Sequence, residues 1–210
     1  RGLGDVYKRQ IRPFFSKNIA EYWRRWHITM GTWFRDYVFY PMSISKPLKK
    51  LTSTTKKHFG MAGARRVAVY ISTMVTWFAT GIWHGAAWHF VAWGLVNGVI
   101  ILISEECTPL YNKFHHRFPK LGNSWGYRAF QVIRTFLMMC CIRLFDTYAS
   151  VRGAIRQFIH MFTRFDLSKV TGKELLDLGL SVQDYCIVAF GVVAMFTVSM
   201  CGRNGSVREK

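Results

Sequence analysis

The chain has 210 residues, half of them apolar and 16% aromatic, and it carries 29 Lys and Arg against 11 Asp and Glu, a net charge of +18. The length suits one ordinary domain. On a soluble protein the basic excess would suggest nucleic acid, but no basic stripe or reader motif accompanies it. The charges collect between apolar segments, as in a membrane protein with basic cytoplasmic loops, so a lipid bilayer is the expected partner and nucleic acid is not.

The first ten residues, RGLGDVYKRQ, are set aside from fold reasoning because DVYKRQ reads as the translation of a sequencing-library adapter. On that reading the natural sequence starts near Ile11 in mid-gene, and the tail GRNGSVREK has the look of an arbitrary cut, so a fragment is expected. Asn18 to Tyr40 reads as one amphipathic helix, opened by an Asn18/Glu21 cap pair. Ile19, Tyr22, Trp23, Trp26, Met30, Trp33 and Tyr37 recur at three- and four-residue steps, with Glu21, Arg24, Arg25, Thr32 and Arg35 opposite. An aromatic face backed by a basic one suits a helix lying at a lipid headgroup boundary.

Pro41 closes that helix, and residues 42–66 read as a Ser/Thr/Lys loop. Val67 to Ile103 then runs 37 residues without a formal charge. As one helix it would be about 55 Å long, nearly twice a hydrocarbon core of roughly 30 Å. A break is therefore expected at Gly81-Ile82-Trp83-His84-Gly85, giving a membrane hairpin or a re-entrant pair. Residues 104–128 form a polar connection. Ala129 to Phe145 is a weaker membrane segment whose Arg134 and Arg143 would snorkel or line an aqueous cavity. Asp146 to Asp184 reads as water-soluble, with Ile155, Phe158, Ile159 and Phe162 on a short amphipathic helix. Tyr185 to Cys201 is a further apolar pass. The class is all-α, a polytopic transmembrane helical bundle, because the apolar runs are continuous rather than alternating.

Five cysteines, Cys107, Cys140, Cys141, Cys186 and Cys201, follow no metal or redox spacing and read as free thiols. Of seven histidines, His58, His115 and His116 sit in polar surroundings, His160 on the polar side of a short helix, and His89 within the second apolar leg as a structural group. His84 and His89 are five residues apart and do not share a helix face, so no metal site is expected. His27 and His84 remain. Intramembrane ionisable groups are costly and tend to be functional. Glycines around His84 would let backbone or substrate approach the ring. An imidazole removed from water stays neutral near pH 7 and can accept a proton.

Two stretches together resemble the membrane-bound O-acyltransferase family and its bacterial polysaccharide-modifying branch. NIAEYWRRWHITMGTWFRDYVFYPM (residues 18–42) is similar to that branch's E-F-W-x-R-W-H-I-S-L-x-x-W-F-R-D-Y-x-Y-x-P block. GIWHGAAWHFVAWGLVNG (residues 81–98) is similar to its G-L-W-H-G-A-x-W-x-F-x-x-W-G-x-x-x-G block. The resemblance implies a bundle of many membrane helices around a tunnel, of which this chain would be the C-terminal half. It also implies a multi-pass protein of the bacterial cytoplasmic membrane. His84 matches the family's catalytic histidine, and His27 a second important one. The implied reaction passes an acyl group, acetyl in the nearest branch, from an intracellular thioester (acyl-CoA or an acyl carrier protein) to a hydroxyl of a surface or secreted polysaccharide. D-Alanyl transfer to teichoic acid is the variant in a more distant branch. No tightly bound cofactor is implied, and an extracytoplasmic acyltransferase would be the protein partner. Where alginate-type members often read P-L-G-G-x-R, this chain has PMSISKP, which leaves the branch open.

In this scheme His84 is the general base that deprotonates the attacking hydroxyl and returns the proton to the leaving thiolate. His27 orients a substrate or shares the proton. Trp83 and Trp26 line the substrate path, with Trp88 in the same wall, while Trp77 and Trp93 read as interface anchors. Arg25, Arg35 and Asp36, with Arg24 beside them, would bind an anionic donor at the cytoplasmic face. A transporter subunit is the rival reading; it accounts for broken helices and intramembrane histidines but not for the paired blocks. A membrane scaffold is the third.

Overall fold

The computed structural model describes residues 10–164 and 181–201. The adapter-like stretch 1–9, residues 165–180 and the tail 202–210 lie outside the described residues. No strand occurs among the described residues, in keeping with the all-α class. The chain forms two compact units, Arg1–Ile159 and His160–Lys210.

In the first unit, helix α1 (Ile19–Arg25) opens as its sequence dictates: Asn18 Oδ1 accepts from the Glu21 backbone N–H at 2.8 Å, and Glu21 Oε2 accepts from the Lys17 N–H at 2.8 Å. One orphan donor of the first turn, the Glu21 N–H, is thereby satisfied, and the Lys17 N–H just ahead of the cap residue gains a partner. The single helix expected over 18–40 does not form. Trp26 turns extended, His27 adopts φ 44° and ψ 52°, and a second helix, α2 (Ile28–Phe34), starts there. It continues through a π-turn (Arg35–Phe39) and one further turn (Tyr40–Ser43). The kink divides the apolar stripe. Ile19 and Tyr22 are buried against protein, whereas Trp33 and Tyr37 stay exposed.

The expected loop at 42–66 is mostly helical. Helix α3 (Lys46–His84) includes it, with Pro47 in its first turn and an interruption at Gly60 (φ 70°), a left-handed conformation that favours glycine. Ser and Thr ordinarily loosen helices by competing for backbone partners. Here the hydroxyls of Thr52, Ser53, Thr54 and Thr55 donate back to carbonyls three or four residues earlier, and the intervening lysines are good helix formers. The charge run is thus a solvated helix.

The break in the apolar run falls at Gly85–Ala87, and α4 (Trp88–Glu106) folds back on α3. A glycine seam sets the spacing of this hairpin. A Cβ on Gly94 would lie 2.3 Å from the Trp77 carbonyl oxygen, one on Gly81 2.7 Å from the Phe90 carbonyl, and one on Gly98 3.0 Å from the Met74 sulfur. Only hydrogen fits at Gly94 and Gly81, so the backbones touch, as at small-residue crossings in membranes. Helix α5 (Thr108–Arg117) and a short turn lead to α6 (Trp125–Thr147), capped by Ser124, whose Oγ accepts from the Tyr127 N–H at 3.2 Å. The core lies where α1, α4 and α6 meet: Ile19, Tyr22, Trp93, Met139 and Ile142, flanked by Trp23, Trp26 and Trp77. Arg134 ties α6 to the chain ahead of α1 through a 3.0 Å bond from Nη2 to the Lys17 carbonyl. Helix α7 (Val151–Thr163) buries Ala154 and leaves Ile155 exposed.

In the second unit, α8 (Val182–Cys201) begins with a reciprocal cap: Asp184 Oδ2 accepts from the Ser181 N–H at 2.8 Å, and Ser181 Oγ accepts from the Asp184 N–H at 3.3 Å. The Ser181 hydroxyl, which also donates to Asp184 Oδ2 at 2.7 Å, and the Ser181 N–H together hold the Asp184 carboxyl below its ordinary value. Among the described residues one helix, α4, is long and apolar enough to cross a membrane, and Val182–Val198 is a shorter apolar helix.

Candidate active site

Five helices and the kink between the first two converge on a cavity of about 380 Å³. Helix α1 supplies Tyr22 and Trp23, the kink Trp26 and His27, and α2 Met30. Trp83 and His84 come from the last turn of α3, Trp93 from α4, and Met139, Arg143 and Asp146 from α6. His27 and His84, about 57 positions apart in sequence, thus share one cavity because the α1–α2 kink meets the mouth of the α3–α4 hairpin.

The walls are aromatic. Centroid to centroid, the His84 ring lies 4.3 Å from Trp93, 5.1 Å from Trp83 and 6.2 Å from Phe90, with which it stacks. The His27 ring meets Trp83 edge-on at 6.3 Å. Behind them Trp23 packs on Trp77 at 4.8 Å and on Trp93 at 5.7 Å, and Tyr22 stacks on Trp26 at 5.7 Å. Trp93, read from sequence as an interface anchor, is 5% exposed and forms both core and cavity wall. Trp77 is a core-packing residue behind it, and Trp88 is 80% exposed and does not line the cavity. Nothing in the sequence around these indoles separates them; the close crossing of α3 and α4 at Gly81 and Gly94 brings Trp77 and Trp93 together at 6.1 Å.

His84 itself is exposed at the edge of the cavity rather than sealed inside it. The physical reason is local: α3 ends at His84, and the residues that follow, Gly85, Ala86 and Ala87, are too small to cover the ring. His27 is deeper. Its Nδ1 is buried without a hydrogen-bond partner, as is Nε1 of Trp23. Burial pushes the Tyr22 hydroxyl up to about 12, against the opposing pull of nearby Arg143, so this phenol is a neutral donor at physiological pH.

Of the site residues expected from sequence, His84, His27, Trp83 and Trp26 line the cavity, and Arg25, Arg35 and Asp36 do not. Arg25 is held by Glu21, one helical turn back, and by a 3.4 Å bond to the Arg12 carbonyl. Arg35 and Asp36 pair with each other at 2.9 Å on the exposed π-turn. Adjacent opposite charges at a solvated turn neutralise one another locally. Tyr22, Met139, Arg143 and Asp146 line the cavity without having been singled out as site residues. The sequence signal for α6 is the apolar run Ala129 to Phe145 with Arg134 and Arg143 interrupting it, and of those two arginines Arg143 lines the cavity. The described residues hold no group of three His, Cys, Asp or Glu that could bind a metal. Gly122-Asn123-Ser124-Trp125-Gly126 has the letter spacing of a nucleophile elbow, but Ser124 is the cap of α6 and donates to the Leu121 carbonyl at 2.7 Å. It is structural, since such an elbow needs a strand entering the helix.

A helical chain with two histidines at one aromatic cavity is the class that the paired blocks point to, and comparison with known proteins bears out that resemblance. The chain is similar over most of its length to members of the membrane-bound O-acyltransferase family. A probable alginate O-acetylase of Pseudomonas putida is 32% identical over 201 residues, covering 95% of this chain and 35% of that protein. A teichoic acid D-alanyltransferase of Bacillus subtilis is 28% identical over 129 residues, 61% of this chain and 29% of the relative. A peptidoglycan O-acetyltransferase of Helicobacter pylori is 28% identical over 109 residues, 52% and 18% of the two chains. The matches thus span about a third or less of those relatives' lengths. No family model matches the chain.

Proposed function

We propose that this chain carries the histidine-centred site of a membrane O-acyltransferase that moves an acyl group, acetyl by preference, from an intracellular thioester to a hydroxyl of a cell-surface or secreted polysaccharide. The observation that carries the reading is the convergence of His27 and His84 from two separate sequence blocks onto one aromatic-walled cavity. The relatives' names, alginate O-acetylase, peptidoglycan O-acetyltransferase and teichoic acid D-alanyltransferase, share acyl transfer to a cell-envelope or exopolysaccharide polymer and support it. D-Alanyl transfer by the same residues is the second reading, favoured by the teichoic acid relatives.

In the proposed step His84 accepts the hydroxyl proton as the oxygen attacks the thioester carbonyl. A C–O bond forms, the C–S bond breaks, and the imidazolium returns its proton to the leaving thiolate. His27 orients the acceptor, and Trp83 and Trp26 flank it. The protein would reside as a multi-pass bundle in the bacterial cytoplasmic membrane, using acyl-CoA or an acyl carrier protein as co-substrate and an extracytoplasmic acyltransferase as partner. Exposed Val99 and Ile103 on α4, and Ile187, Val188, Phe190 and Val193 on α8, supply apolar faces suited to lipid or to other membrane helices. The test is acyl transfer to polysaccharide by membranes containing the full-length protein or its His84→Ala variant. The variant should lose transfer by a factor of at least about 100 at equal abundance, the range for losing a general base. Undiminished transfer would remove His84 from that role, and a transporter would show none with either protein.

A further inference from the structure

Arg143 and Asp146 are the two formally charged residues among those lining the cavity, and neither belongs to the two blocks that carry the family likeness. They sit three residues apart on α6, with Arg143 Nη2 donating to Asp146 Oδ2 at 3.1 Å. As an ordinary surface pair they would contribute little. Their position argues for more. The rest of the lining is aromatic, imidazole or methionine, and a charged pair kept in such a wall, in a chain read as a membrane protein, is expensive to hold unless it is used.

The pair is also asymmetric. The Arg143 side chain is 58% exposed and Asp146 27%, so the guanidinium is the more accessible partner. Of the five N–H donors on an arginine, those on one nitrogen are engaged by Asp146. The remaining fork suits the paired oxygens of a carboxylate or phosphate. Arg143 lies near enough to both cavity phenol and cavity imidazole to act on them electrostatically.

We propose that Arg143 is the cavity's anion-recognising residue, holding a carboxylate or phosphate of the substrate beside His84, while Asp146 occupies and orients the guanidinium. This rests on the reading of the cavity as an acyl-transfer site, and it supplies what that reading lacks: a group that selects an anionic substrate. The carboxylate could come from an acidic sugar and the phosphate from a polymer backbone or a thioester carrier.

Binding can be read without turnover, because Trp23, Trp26, Trp83 and Trp93 line the same cavity. The full chain in detergent is titrated with inorganic phosphate, with glucuronate and with uncharged glucose while tryptophan fluorescence is followed. One or both anions should give a saturable change and glucose none; the better anion identifies the source. Arg143→Gln should weaken the anion at least about tenfold, Arg143→Lys should retain part of the affinity, and Asp146→Asn should bind as tightly or tighter because a competing negative charge is gone. That opposition of sign separates recognition from a merely structural pair, whose loss from either side would act alike on helix content and on binding. Equal isotherms for the parent chain and Arg143→Gln, or weakened binding in Asp146→Asn matching that in Arg143→Gln, would overturn the assignment. Loss of acyl transfer in His84→Ala bears on the reaction and not on these isotherms.

Discussion

His27 holds a left-handed backbone at φ 44°, which a residue with a Cβ adopts at a cost of about 1–2 kcal/mol. Such outliers persist where the surroundings over-determine them, and they gather at functional sites. The conformation is what turns the imidazole from the stripe of α1 into the cavity. Backbone and chemistry therefore make opposite demands at this position. His27→Gly should be more stable than His27→Ala by about 1 kcal/mol, since glycine relieves the strain and both lose the ring. Both should be impaired in acyl transfer. Equal thermal midpoints for the two variants in detergent would show that the kink is not strained. Trp93 makes a second residue-scale case. Its indole closes the cavity floor and fills the core, so Trp93→Ala should cost about 3–5 kcal/mol in denaturant unfolding, the range for buried Trp, while Trp93→Phe keeps most of the packing.

At the scale of elements, the α3–α4 hairpin positions His84 and Trp93 through its glycines rather than through side-chain interlocking. Adding a methyl at Gly94 places carbon against the Trp77 carbonyl, a backbone atom that cannot step aside without moving the helix. Gly94→Ala should therefore destabilise by about 1–3 kcal/mol, the usual penalty for overpacking, and lower transfer by separating His84 from the α1–α2 kink. Gly126, in the first turn of α6 with open space where a Cβ would go, is the control. Gly126→Ala should be neutral or stabilising by up to about 1 kcal/mol. Thermal unfolding of both variants in the same detergent checks the pair, and a Gly94→Ala midpoint equal to the parent's would dissolve the seam argument.

At the scale of the molecule, α4 and α8 carry no Lys or Arg and expose apolar side chains. The lysines of α3 lie on its exposed N-terminal half, while apolar side chains are exposed along α4, α6 and α8. Exposed apolar area of this extent in water promotes association. The chain should run as aggregate in size-exclusion chromatography without detergent and as a helical, monodisperse species in detergent micelles. A stable detergent-free monomer would count against membrane residence.

Local rules sufficed for much of this. The period of the apolar positions predicted helices, Asn18 and Glu21 predicted the first cap, and the uncharged run from Val67 to Ile103 demanded a break near His84, because one helix would be too long for a bilayer. The R-W-H and W-H-G blocks singled out the two histidines that share the cavity. Other features depend on contacts between distant segments, which periodicity does not encode. The 18–40 stripe reads as one straight helix, yet it bends at His27 because α1 must enter the junction of α4 and α6. The 42–66 run reads as loop because its Ser, Thr and Lys content is polar, yet hydroxyl-to-carbonyl bonds let it continue as helix. Arg25, Arg35 and Asp36 look available in sequence and are taken up by immediate neighbours, while Arg143 and Asp146 reach the site only because α6 packs against α1. Sequence alone fixed the chemistry available, since residue types and their spacing along one helix are local properties. Which groups meet was decided by the glycine-set helix crossing and the kink, since those determine the direction in which each face points.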